Sequence, residues 1–430
     1  MNILITGANG FIGRHIVEQA LEAGYQVYCG VRVIPQKPDA RVQYILMDFT
    51  EDVAPENWIA RLDNIDVVIN AVGIFQQRGS QSYQTIHTLS PQALFEASRQ
   101  TNVQRVIQIS ALGADDHAQS HFHRSKKAAD DYLRAIDIEA FIIQPSLVFG
   151  LEGASTRLFL TLASMPVLCL PNGGRYPIQP VHISDLARLT IDLITAPSQP
   201  LTTIPVVGPT PLLLAEYLGL LRKQLGLGKI SIFTFPASLL KPIVRLMERL
   251  PNNQLSQESI QMLERGNTAE HDIMHHYLTA DAKPVEDFIS PEQAKLLKPT
   301  VILNWLLPLV KFSIAFVWIF TGFISLGIYP TEESYKLLSS VGIPASLGPL
   351  FLYGSALLDI ALGIAIFLLP KRSWVWVIQL CLIAFYTLVI SWKMPEFWIH
   401  PYGPLTKNIP MMAAIFLILM LEDRNGISHR

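Results

Sequence analysis

Along the first 145 residues, short apolar runs alternate with segments whose apolar residues recur at helical spacing. Runs rich in β-branched residues occupy positions 3–6, 27–31, 42–47, 67–70, 106–110 and 140–144. Between the first two, Ile12, Ile16, Val17, Ala20 and Leu21 line one face of a helix, and Gly24 supplies its stop. Ala93, Leu94, Ala97 and Ser98 trace a second helix, and Ala128, Ala129, Tyr132, Leu133 and Ile136 a third. This alternation predicts an α/β fold with a doubly wound parallel sheet. The first strand starts at once, with no basic stretch, apolar run and small-residue cleavage site before it, so no signal peptide is expected.

From about residue 150 to 250 the pattern is less regular and is punctuated by Pro166, Pro171, Pro177, Pro180, Pro205, Pro209 and Pro211. This reads as a smaller, substrate-side part of the same domain. Residues 251–299 are polar and include Asp272, His275 and His276, the two histidines read as surface positions, and 295–300 read as a short linker. The character then changes. Residues 305–329 carry one charge, Lys311; residues 347–369 carry one, Asp359; residues 374–392 carry none. Each run can cross a hydrocarbon core of about 30 Å at about 1.5 Å per residue. A fourth run, 409–421, reaches that length only with 405–408 included. The expected division is therefore residues 1–299 as the α/β domain and 300–430 as an all-α transmembrane four-helix bundle.

Composition agrees with a membrane part: hydrophobic residues make up 50% and charged residues 16%, against roughly 25% charged in globular chains. A net charge of -2 argues against a nucleic-acid partner. Cys29, Cys169 and Cys381 lie far apart, form no zinc pattern or disulfide framework, and read as packing thiols in a reducing compartment. Trp374, Trp392 and Trp398 suit the membrane interface. With four spans, Lys371, Arg372, Arg424 and Arg430 fall on the side of the N-terminal domain, while Lys336 and Lys393 fall opposite. That bias predicts an inner-membrane, multi-pass protein with its N-terminal domain in the cytoplasm.

The chemistry concentrates at Gly7-Ala8-Asn9-Gly10-Phe11-Ile12-Gly13, which follows the first strand and opens the first helix. In a Rossmann-type fold the first glycine permits the turn and the second lets a pyrophosphate approach the backbone. The third lets helix and strand pack closely, and the helix N-terminus offers free N–H groups to the phosphates. An NAD-selective site places Asp or Glu at the end of the second strand. This chain has Tyr28-Cys29-Gly30-Val31-Arg32 there, and a second cation, Arg14, follows the third glycine. Guanidinium groups suit a 2′-phosphate, so NADP(H) is expected in preference to NAD(H).

These motifs resemble an atypical short-chain dehydrogenase/reductase of the extended type. The resemblance rests on Thr6–Gly13, Met47-Asp48-Phe49, Asn70-Ala71-Val72-Gly73, Ile109-Ser110-Ala111-Leu112-Gly113-Ala114, Gln144-Pro145-Ser146-Leu147-Val148-Phe149-Gly150 and Pro180-Val181-His182-Ile183-Ser184-Asp185-Leu186-Ala187, in that order. It covers roughly residues 1–290 and is similar to the group containing the nucleotide-binding accessory subunit of respiratory complex I. Trp318-Ile319-Phe320-Thr321-Gly322 and His400-Pro401-Tyr402-Gly403-Pro404-Leu405-Thr406-Lys407-Asn408 resemble DoxX-like four-helix membrane domains. The first resemblance implies that Asp48, with Phe49, meets the adenine edge and that Asn70, Ala71, Val72 and Gly73 run along ribose and phosphates. It also implies that Pro145, Ser146 and Val148 lie near the nicotinamide.

That family uses Ser, Tyr and Lys, with Tyr four residues before Lys on one helix face. Here Ser110 and Lys126 stand in place, and Phe122 occupies the Tyr position. A phenyl ring cannot relay a proton, a step worth about 10²–10⁴-fold. Three accounts stay open: binding of NADP(H) without turnover, hydride transfer to a quinone or flavin that needs no such donor, or substitution by His121 or His123. Lys126 serves ribose binding in each. With His117 these histidines form a cluster, but no acidic or cysteine partner has metal-ligand spacing, and no metal is expected. His87 reads as a hydrogen-bonded packing residue. In the bundle, Asp359 is a candidate functional site and a candidate partner for Lys311 or Lys407. The expected partners are thus a nicotinamide dinucleotide, the lipid bilayer and a quinone or other lipophilic small molecule.

Overall fold

The computed structural model describes all residues except 198–200, 237–256, 271, 370–372 and 426–430. Lys371, Arg372 and Arg430, on which the charge-based orientation drew, lie outside the described residues. The chain divides into two compact units, Met1–Val301 and Ile302–Arg430.

In the first unit, seven strands form one sheet: β1 (Asn2–Thr6), β2 (Gln26–Val31), β3 (Gln43–Leu46), β4 (Val67–Asn70), β5 (Arg105–Ile109), β6 (Glu139–Pro145) and β7 (Thr202–Val206). Their order is β3-β2-β1-β4-β5-β6-β7, every neighbouring pair parallel. The chain reverses direction across the sheet between β1 and β4, the place where open α/β sheets take ligands. Successive residues of β1 face opposite layers. Ile3 and Ile5 join the core under α1 (Phe11–Glu22), and Leu4 joins the core under α2 (Ser90–Gln100) and α3 (His121–Ala135). A later helix, α4 (Ile183–Asp192), packs beside α1. The strand windows read from the sequence match β1–β6; β7, which contains Pro205, was not anticipated and lies at the sheet edge, where a missing N–H is tolerated.

The irregular segment after residue 150 builds a third core from Phe149, Leu160, Leu170, Tyr217, Leu221 and Phe288. Near its end lies a short helix, α5 (Gln257–Arg265). Residues 295–300, read as a linker, are helical instead, within α6 (Pro291–Phe323). The cause is a reciprocal cap just upstream. Ser290 N donates to Gln293 Oε1 at 2.9 Å and Gln293 N to Ser290 Oγ at 3.3 Å, which starts the helix there.

The second unit contains α6 from Ile302 onward, together with α7 (Gly348–Leu368), α8 (Ser373–Lys393) and α9 (Asn408–Asn425). Ile314, Ala315 and Trp318 of α6, Leu362 and Ile366 of α7, Val375, Trp376 and Ile383 of α8, and Ile415 and Ile418 of α9 share one apolar core. Among the described residues three helices are long and apolar enough to cross a membrane, and Asn408–Glu422 is a shorter apolar helix. Close approach of α6 and α7 depends on glycine: a Cβ on Gly322 would lie 2.7 Å from Ala356 O, and one on Gly363 2.6 Å from Ile319 Cγ1.

Candidate functional site

The turn from β1 into α1 is shaped by close backbone contacts. Gly7 sits at φ +68°, a left-handed conformation, and a Cβ on Gly13 would fall 2.2 Å from Gly7 O. Gly10 N donates to Gly7 O at 2.8 Å, and Gly10 caps α1 without a side chain. The first-turn amides of Phe11, Ile12 and Gly13 therefore have no acceptor within their own helix, the arrangement that cradles phosphate oxygens.

Beneath this turn runs a buried polar chain across three strand ends. Thr6 Oγ1 donates to Asn70 Oδ1 at 2.7 Å, and Asn70 Nδ2 donates to Gln108 Oε1 at 2.7 Å. Asn70 Oδ1 also accepts from Val72 N at 3.3 Å, which shapes the loop Asn70–Gly73. Gln108 was not singled out by sequence reasoning. Its signal was a polar residue between Ile107 and Ile109 in a fully buried strand. Gln108 Nε2 has no partner among the described residues.

Helix α3 is capped by Ser120, whose Oγ accepts from His123 N at 3.1 Å. Phe122, Lys126 and Asp130 recur every fourth residue on one face. Lys126 is buried, and its Nζ donates to Ile109 O at 3.0 Å and Val72 O at 3.2 Å. Ser110 Oγ donates to Asp130 Oδ2 at 2.5 Å. Burial pushes the Lys126 ammonium below its ordinary range and the Asp130 carboxyl above its own, each opposed by the other's charge. Asp130 also escaped the sequence reading, although its place four residues after Lys126 was visible. Its effect is to turn the Ser110 hydroxyl toward the helix.

Around Phe122 the structure builds an aromatic cluster. Ring centroids of His87 and His123 lie 5.4 Å away, Phe75 5.6 Å and Tyr83 6.0 Å. His87 Nε2 accepts from Ile74 N at 2.9 Å, so its proton sits on Nδ1, facing Ser125 Oγ at 2.9 Å. Burial, then the Lys126 charge, hold His87 at about 2, a neutral packing residue. His123 is buried, meets Ser120 Oγ through Nδ1 at 3.1 Å, and is pushed down to about 4 by burial and then Arg265. His121 and His117 are exposed. Among the described residues no trio of His, Cys, Asp or Glu is placed to hold a metal ion.

Helix α5 covers this side. Glu258 accepts from Tyr83 Oη at 3.1 Å and His121 N at 3.0 Å. Arg265 donates to Gly113 O at 2.8 Å and pairs with Asp115.

The remaining sequence candidates separate. Arg14 pairs with Glu152 at 3.3 Å in an open groove of about 510 Å³ with Phe11, Leu151 and Arg157. Arg32, at the end of β2, faces the side-chain amide of Gln81, whose oxygen accepts from it when turned toward the guanidinium. The two cations thus have different partners. Asp48 Oδ1 accepts from Thr50 N at 2.9 Å and Thr50 Oγ1 at 2.8 Å, a local turn. The Phe49 ring is buried edge-on against Trp58, centroids 5.2 Å apart, and belongs to the core. Pro145 ends β6, Ser146 Oγ donates to Gln179 O at 2.6 Å, and Val148 pairs with Val181 in a two-residue strand.

Comparison with known proteins follows this division. Residues 7–164 match the NAD(P)H-binding family and residues 315–416 the DoxX-like family. Mouse NADH dehydrogenase (ubiquinone) 1 alpha subcomplex subunit 9, mitochondrial, is 28% identical over 226 residues, 49% of this chain and 57% of that protein. Photosystem II assembly factor Ycf39 of Guillardia theta is 26% identical over 216 residues, 48% of this chain and 65% of that protein. The chain joins an atypical short-chain dehydrogenase/reductase domain to a DoxX-like domain. The reductase-type domain is also similar to Ceramide reductase of Caulobacter vibrioides, 29% identical over 201 residues, 45% of this chain and 61% of that protein. The matches thus span about three-fifths of these curated relatives' length. A nucleoside-diphosphate-sugar epimerase from Staphylococcus aureus shares the fold of the reductase-type domain, with a TM-score of 0.56 at 21% identity over 67% of this chain and 99% of that one.

Proposed function

We propose that the reductase-type domain holds NADP(H) for a structural, sensing or assembly role, anchored to the inner membrane by the DoxX-like bundle and facing the cytoplasm. The observation that carries this reading is Phe122. On the face that bears Lys126, the position before it holds a ring without a proton to give, enclosed by Phe75, Tyr83, His87 and His123. Of the rings around Phe122, His87 does not favour replacement of that proton, since both of its nitrogens are committed, to Ile74 and Ser125.

The groups suited to the dinucleotide are the amides of the Gly7–Gly13 turn for the pyrophosphate, the Asn70–Gly73 loop and Lys126 for the ribose, Asp48 for the adenine edge, and Pro145 and Ser146 for the nicotinamide. Bound there, the dinucleotide would supply a hydride. Arg32, with no acid beside it, supports NADP(H) over NAD(H). Two relatives named above, a complex I subunit and an assembly factor, support a role within larger assemblies.

A second reading is an NADPH-dependent oxidoreductase acting on a lipophilic acceptor such as a quinone. The relative called Ceramide reductase and the attached membrane domain favour it. The purified full chain separates the two. The binding role predicts tight NADPH binding by calorimetry and no NADPH oxidation with a panel of quinones. Oxidation that is lost in Lys126→Ala would overturn it in favour of the enzyme. Phe122→Tyr, assayed for carbonyl reduction, then reports whether the rest of the site is competent.

A further inference from the structure

The membrane unit buries three polar atoms that no described residue satisfies: Trp318 Nε1 on α6, Asp359 Oδ1 on α7 and Gln379 Oε1 on α8. Gln379 is fully buried and Trp318 is 5% exposed. The helix registers bring the three to one level. Gln379 Nε2 donates to Leu362 O at 3.4 Å, and Asp359 lies one turn before Leu362 on the same helix. Gly363, next to Leu362, packs against Ala315 O and Ile319, which flank Trp318 on α6. The charges that could have neutralised Asp359 are engaged or turned away. Lys311 pairs with Glu422, so the expected Asp359–Lys311 pair does not form, and Lys407 is exposed.

An indole N–H only donates, and an amide oxygen only accepts. In a bilayer neither finds bulk water, and each is costly if left alone. A hydroxyl answers both at once, because its oxygen accepts from Trp318 and its hydrogen donates to Gln379. Asp359 is half-buried and sits beside Leu357 and Leu358, whose side chains are exposed on the bundle surface. The polar level therefore reaches a surface made for lipid, and an occupant arriving there must be apolar around its polar group.

We propose that the DoxX-like bundle binds, between Trp318, Asp359 and Gln379, the hydroxyl-bearing headgroup of an apolar molecule that enters from the bilayer. The same chemistry is offered by a hydroquinone and by a long-chain lipid alcohol. The site stands independently of nucleotide binding in the other domain.

The test uses the full-length protein in phosphatidylcholine nanodiscs, with radiolabelled decyl hydroquinone, its oxidised quinone and dioctanoylglycerol as probes. At least one hydroxyl-bearing probe should bind saturably, and the one that does identifies the source. If it is the hydroquinone, the quinone, which has no O–H to donate, should bind about three- to tenfold more weakly. Trp318→Phe and Gln379→Met preserve bulk and should each weaken binding by a similar factor while NADPH affinity stays unchanged. Three results would overturn the proposal: no saturable binding of either hydroxyl probe, equal affinity for hydroquinone and quinone, or binding that both variants leave intact. A single buried water bridging the three atoms that no probe displaces would do the same. Loss of NADPH binding in the wild-type chain would count against the nucleotide reading alone.

Discussion

The two units differ in how much polarity they bury and in how far along the chain they pair it. The nucleotide domain is full of it and pairs it over long sequence distances: Thr6 with Asn70, Asn70 with Gln108, Ser110 with Asp130, and Lys126 with the carbonyls of Val72 and Ile109. The bundle buries little polarity. It ties one end with a clasp in which Glu422 pairs with Lys311 and accepts from Trp376 Nε1 at 2.7 Å, and leaves Trp318, Asp359 and Gln379 without mutual bonds. Outside a bilayer water competes for every polar group, so most buried ones keep a specific partner, although Gln108 Nε2, His123 Nε2 and Asp130 Oδ1 have none among the described residues. Within a bilayer the helix satisfies its own backbone, and side-chain polarity is kept only where it fastens helices or meets a ligand.

Acid should break the comparison most strongly, by acting on one unit. His87 and His123 sit at about 2 and about 4 in the fold, against an ordinary 6.5. A lowered folded value means that their contribution is complete above the ordinary value and is lost as pH falls toward the folded one. Between pH 7 and pH 5 three buried histidines, His87, His123 and His182 (also held at about 4 by burial), should each remove about 2 kcal/mol from the nucleotide domain, partly offset by Asp130, which burial raises to about 6 and which gains stability as it protonates in the same window. Urea unfolding at both pH values, with His123→Asn lowering the difference by about 2 kcal/mol, checks this. Among the described residues of the bundle the histidine is His400, which is exposed, so the bundle's helical signal should persist.

The clasp is the reciprocal target. Lys311→Met leaves Glu422 without its cation and should lower the stability of the bundle in detergent by about 3 kcal/mol. Lys311→Met combined with Glu422→Gln should recover most of the loss. An unchanged melting temperature in the single variant would show that the ion pair contributes nothing there. In the nucleotide domain, Gly13→Val forces a side chain onto Gly7 O, and strain of about 2 kcal/mol should weaken NADPH binding by roughly thirtyfold. Calorimetry reads this directly. The smallest effect is expected from Arg32→Ala: about tenfold weaker NADPH binding with NADH affinity unchanged, measured by competition. Equal losses for both nucleotides would remove the argument for a 2′-phosphate contact.

The sheet was readable because strands buried on both faces appear as short, mostly apolar runs rather than alternating ones, as in Val67–Asn70 and Arg105–Ile109. Strand β7 was hidden by Pro205 and by its polar start, Thr202-Thr203. In the site, the glycine turn and Lys126 were legible because their spacing is local. Asp130 was passed over because a charged residue on a helix ordinarily faces water, and Phe49, expected at the adenine edge, has its ring in the core. Arg14 and Arg32 looked alike along the chain, yet one meets Glu152 and the other Gln81.

By itself, then, the amino-acid order determined what repeats over a few residues. Alternating strands and helices, the glycine turn and the long apolar helices all follow from backbone geometry and side-chain periodicity. Tertiary structure alone decided which polar groups meet. Asp130 turning Ser110, Glu422 rather than Asp359 receiving Lys311, and Trp318 and Gln379 coming to one level depend on contacts between residues far apart in sequence. Hydrogen bonds and ion pairs act over a few ångströms, and only packing fixes which distant residues come that close.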